Sequence, residues 1–158
     1  MVKLAAGAGA TLVMLACATS NGASESPPDL RAVSAAEGSA TMQFVFYCSR
    51  AADSDAVLAA TAGPRATHAQ AVSECDKQIS LTVDSVRKNR SAVSSFHWKS
   101  TRSETATQVL SDLDRVDQLL NESKTALARD DRDGLRVAVS KLGDAEGKVE
   151  FDEAHLGG

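Results

Sequence analysis

Three cysteines, three histidines and a scatter of carboxylates are the residues of this 158-residue chain with chemistry to offer. Their spacing argues against catalysis. His68, His97 and His155 lie far apart, and no C-x-x-C, H-E-x-x-H or G-x-S-x-G motif and no phosphate-cradling glycine loop occurs. Asp152 and His155 have the i, i+3 spacing that puts two ligands on one helix face. A di-metal site in a helix bundle also needs a second Glu-x-x-His and two single glutamates, and these are missing. No enzymatic activity and no metal site are expected.

Cys17 reads differently from the other two cysteines. Lys3 gives a short positive start, and Leu4 to Ala16 is an uncharged apolar and small-residue run. That run has the length of a secretory signal and is too short to span a bilayer. Ala16-Cys17-Ala18 would allow ordinary cleavage after Ala18, discarding Cys17. Alternatively, "MLAC" resembles the lipobox of bacterial lipoproteins, which implies cleavage before a lipidated Cys17. Met14 and Leu15 depart from the usual pattern of that motif. Either way the chain is expected to be exported, to the periplasm or to a membrane surface held by an N-terminal lipid. It should carry no transmembrane helix once processed, and Cys17 should lie outside the fold.

Residues 87–102, "RKNRSAVSSFHWKSTR", form the most basic stretch. Arg87, Lys88, Arg90, Lys99 and Arg102 with Trp98 could make a contact patch for anionic lipid or an acidic partner. A plainer account is available. Cations near a helix C-terminus complement its dipole, and Glu146, Glu150, Asp152 and Glu153 of the last helix would lie at the same end. Gly143 and Gly147 stand one turn apart and could form a shallow groove for another backbone, or be a weak spot on an exposed face.

These residues need a scaffold, and composition narrows it. Removing residues 1–18 leaves 140, enough for one domain, and moves the net charge from −4 to −5 by loss of Lys3. An acidic chain of this kind lacks the basic footprint of a nucleic-acid binder. Only six aromatics are present, and the small aliphatic residues that dominate suit close helix packing. Residues 19–33 read as a flexible tether with Pro27-Pro28, and 34–158 as the folded domain. Ser34-x-x-Glu37 and Thr101-x-x-Glu104 have capping-box spacing, Gly63-Pro64 marks a turn with Pro64 opening the next helix, and Asp130-Asp131 can cap the last one. The apolar stripes are Val72, Cys75, Ile79, Val83, Val86, Val93 and His97; then Val109, Leu113, Val116, Leu120, Ser123 and Leu127; then Leu135, Ala138, Leu142, Ala145, Val149 and Leu156. "MQFVFYC", residues 42–48, has strand-like composition but no partner strand, so it too is expected to be helical. The expected fold is all-α: an up-down-up-down four-helix bundle after a signal segment and tether.

Setting Cys17 aside leaves Cys48 and Cys75, an even number in an oxidising compartment. Their midpoint falls at residues 61–62, close to the turn at Gly63-Pro64, so an antiparallel hairpin would bring them to nearly one height, and a disulfide is expected. The same arithmetic puts Met42 and His155 level on the first and last helices. This resembles the soluble periplasmic b-type cytochromes, four-helix bundles in which an early Met and a late His hold haem. The resemblance implies haem b bound by Met42 and His155, and an electron carrier. The leading expectation remains an interaction module of the cell envelope, without a cofactor, that contacts another envelope protein or the membrane surface.

Overall fold

A computed structural model of the chain describes residues 29–63 and 65–157. They form five helices: α1 (Leu30–Ala52), α2 (Asp55–Ala62), α3 (His68–Ser95), α4 (Ser100–Ala128) and α5 (Arg132–Gly157). No strand occurs among the described residues, and "MQFVFYC" is helical, with Phe44 and Cys48 buried and Met42 and Phe46 exposed. The signal segment, Cys17 and most of the tether lie outside the described residues.

Several expected helix boundaries shift, for identifiable reasons. Asp29, not Ser34, caps α1 by accepting from the Ala32 amide at 3.2 Å, so the helix already covers the end of the 19–33 span. Glu37 is then free of any capping duty and faces inward. α3 opens at His68 rather than Pro64, because Thr67 and Gln70 make the reciprocal capping box there. α4 starts at Ser100 with no side-chain cap, so the Thr101–Glu104 box does not form. The turn before it is held by Trp98, whose Nε1 donates to the Val93 carbonyl at 2.8 Å and whose ring meets Phe96 edge-on. Asp131 accepts from the Gly134 amide at 2.9 Å and caps α5 as expected.

The first expected helix is two. α1 stops at Ala52, Asp53 is extended, and the Ser54 hydroxyl accepts from the Val57 amide to start α2. The last carbonyls of α1 find donors on α5: Arg136 donates to the Ala52 oxygen at 2.8 Å and Arg132 to the Asp53 oxygen at 2.9 Å. Two guanidiniums at a helix C-terminus satisfy orphan carbonyls and complement the dipole. Gly63, with φ 95°, ends α2 in a conformation that suits glycine.

The four long helices close a ring of contacts: α1 packs on α3 and α5, and α4 on α3 and α5. Val109, Leu113, Val116, Leu120, Leu135, Leu142 and Val149 fill the interior from α4 and α5. Cys48 and Cys75 form a disulfide, S–S 2.05 Å and Cα–Cα 4.6 Å, which joins α1 to α3. No described helix is long and apolar enough to cross a membrane.

Candidate functional site

On α1 the buried stripe runs Glu37, Thr41, Phe44, Cys48, Ala51, with a carboxylate and a hydroxyl where core residues belong. α5 repeats the anomaly. Glu146 and Glu153 stand seven residues apart on its inward face, flanking Val149. From α3 comes Asn89, fully buried, whose Nδ2 donates to Glu37 Oε2 and, at 2.6 Å, to Glu153 Oε1. Glu37, Glu146 and Glu153 retain 1%, 6% and 4% of their exposure. One amide thus sits among three interior carboxyl groups.

Burial dominates the electrostatics of this cluster. Desolvation, reinforced by the neighbouring carboxylates, pushes Glu37 up to about 7 and Glu146 up to about 8. Glu153 is also raised by desolvation, against the opposing effect of hydrogen bonds from Ser34 and Asn89. Glu150 adds a further negative charge from the rim, where its Oε1 lies against Gly38 of α1, 3.0 Å from where a Cβ would stand. None of the charges acting most strongly on Glu37 or Glu146 is positive. No three His, Cys, Asp or Glu side chains among the described residues are arranged to hold a metal ion.

The residues singled out from sequence are placed elsewhere. Met42 is 74% exposed, and the His155 ring lies outside against Phe151, its Nδ1 2.7 Å from the Phe151 carbonyl. Ligating haem between helices needs both side chains turned inward, so the geometry gives the Met42–His155 reading no support. Two surface depressions, of about 170 and 660 Å³, are lined by neither residue. The basic stretch is divided. Arg90 pairs with Asp114 of α4, Arg87 with Asp84, and Arg102 donates to the Leu156 carbonyl at 3.1 Å. Trp98 is half-buried against the core instead of standing free as an anchor, while Lys88 and Lys99 are exposed. Two of the four acidic residues expected to neutralise this stretch do something else: Glu146 and Glu153 face the interior.

The outer face of α1 and α5 carries a second feature. Met42 and Phe46 are 74% and 56% exposed on α1, with Arg50 over the Phe46 ring, and Phe151 is 65% exposed on α5. Gly143, Gly147 and Phe151 recur at i, i+4 and i+8, as Gly38, Met42 and Phe46 do on α1, so each set forms one line along its helix. A Cβ built on Gly143 or Gly147 would meet nothing within 4 Å. Sequence spacing singles out the glycines and Met42 but not the inward glutamates. Counted in heptads, Glu146 and Glu153 fall in step with Val139, Leu142, Val149 and Leu156. Comparison of the chain with protein-family models, with curated proteins and with solved structures finds no match.

Proposed function

We propose that this chain is an interaction module of the cell envelope. Residues 1–18 direct export, Cys17 carries a lipid, and the four long helices act as an up-down-up-down bundle on a short tether. The contact face is the outer surface of α1 and α5, and the partner is another envelope protein.

The observation that carries this reading is the exposure of Met42, Phe46 and Phe151 on two adjacent helices. Single exposed apolar side chains are ordinary, but three large ones on neighbouring helices beside open glycine backbone suit a partner's side chains. Gly143 and Gly147 each cost about 1 kcal/mol of helix propensity relative to alanine, and nothing within the described chain requires their small size. Bare backbone on a helix face is what close approach of a second backbone needs.

A photo-reactive phenylalanine analogue placed at Met42 or Phe151 in producing cells tests it. A discrete cross-linked species should arise from both positions and not from Val57 or Leu81, which are also exposed apolar residues. Equal products from all four positions, or none from Met42 and Phe151, would overturn the reading.

A further inference from the structure

The three interior carboxyl groups do not fit a simple structural role. A core position filled by Glu loses apolar packing, and an unpaired interior carboxylate is strongly unfavourable. The amide partner among the described residues is Asn89, and its two N–H groups go to Glu37 and Glu153. Among the described residues no donor reaches Glu37 Oε1, Glu146 Oε2 or Glu153 Oε2, and the buried Asn89 Oδ1 is itself without a donor. The cluster therefore presents several acceptors and too few hydrogens. The charge of Glu37 helps to raise Glu146, so the two interior carboxyl groups compete for a proton. Two carboxyl groups can bond to each other only when a proton lies between them.

We propose that Glu37, Glu146 and Glu153, gathered around Asn89, form a proton-binding site that holds α1 against α5, and that releasing its protons loosens this pair of helices.

The surroundings fit a site for protons. From α1, Ser34 and Thr41 are neutral. From α3, Asn89, Thr82 and Gln78 are neutral and buried, while Arg90 is turned to the surface by Asp114. α4 fills its inward side with Val109, Leu113 and Val116, and Asp112 faces Asp152 of α5 at the surface. From α5, Glu150 stands at the rim and raises Glu37, Glu146 and Glu153 alike. With no counter-cation among these groups, neutrality comes from protonation. The sign follows from linkage. A carboxyl group whose folded value is raised binds protons more tightly in the folded chain, so its contribution is complete at acid pH and is lost as pH rises toward the folded value. The loss therefore begins above the ordinary carboxyl value of 4.5 and is complete near pH 7 for Glu37 and near pH 8 for Glu146.

Thermal melts of the oxidised protein from pH 5.5 to 8.5 test the proposal. The wild-type melting temperature should fall by roughly 10 °C across that range. Glu146→Gln and Glu37→Gln, which fix the neutral form, should flatten the fall and melt above wild type at pH 8.5. Glu104→Gln, on exposed surface, should keep the wild-type slope. Infrared spectra of the folded wild type at pH 6 should contain the carbonyl stretch of a protonated carboxyl group, weakened in Glu146→Gln. The wild-type band does not depend on how well any variant folds. A flat wild-type profile, parallel slopes in wild type and both cluster variants, or no protonated-carboxyl band would overturn the proposal. So would millimolar calcium or manganese restoring stability at pH 8.5 in wild type alone, which would make this a cation site.

Discussion

Cys48 of α1 and Cys75 of α3 stand opposite one another, their Cα atoms 4.6 Å apart, with an entire short helix in the loop between them. The 27-residue separation spans the end of α1, α2 and the Gly63 turn, segments with few buried side chains. Among the described residues of this loop, Ala51, Ala52 and Leu58 are the buried apolar ones, so its order leans on the bridge and on Arg132 and Arg136.

Reduction is therefore expected to lower stability by about 3 kcal/mol on the chain-entropy account, a fall of roughly 6–12 °C in melting temperature. Non-reducing peptide mapping should recover residues 48 and 75 in one linked fragment. Two free thiols in protein purified under oxidising conditions, or an unchanged melt on reduction, would count against the bridge.

Much of this fold was legible because its apolar residues are periodic. Val109, Leu113, Val116 and Leu120 on α4, and Leu135, Leu142 and Val149 on α5, are all buried as their spacing requires. The strand-like composition of residues 42–48 was correctly outweighed by the lack of any pairing segment. Helix ends were harder to read. Ser34–Glu37 and Thr101–Glu104 have the right residues at the right spacing, but a cap works only at an actual terminus, and tertiary contacts set that terminus. The break at Asp53 was illegible for the same reason: its carbonyl donors, Arg132 and Arg136, come from the far end of the sequence. The interior glutamates are hard to read from sequence because a polar residue in an amphipathic helix ordinarily faces solvent. Only the heptad step linking Glu146 and Glu153 hinted at their direction.

The lipid anchor proposed at Cys17 makes a separate prediction. Cells grown with a fatty-acid analogue should label this chain, and Cys17→Ser should abolish the label while leaving the bundle's helical signal intact. A wild-type N-terminus found at Thr19 would end the lipoprotein reading and leave ordinary secretion in its place.

Asn89 offers the sharpest test of how the interior carboxyl groups are tolerated, because its two N–H groups bond Glu37 and Glu153 at once. Its hydrogen bond holds Glu37 below where burial alone would put it, and it acts likewise on Glu153. Asn89→Leu keeps most of the volume and removes the donor, leaving two buried acceptors unpartnered. It should destabilise by about 2–4 kcal/mol in urea unfolding. Without the amide, Glu37 should bind its proton more tightly still, so stability in this variant should fall more steeply than in wild type as pH rises from 5.5 to 8.5. Asn89→Asp replaces a donor with a fourth interior carboxyl group, and its loss relative to wild type should be larger at pH 8.5 than at 5.5. Equal losses at both pH values for Asn89→Asp would mean that residue 89 matters for packing alone. A slope in Asn89→Leu shallower than wild type would mean that the amide does not govern proton binding at Glu37.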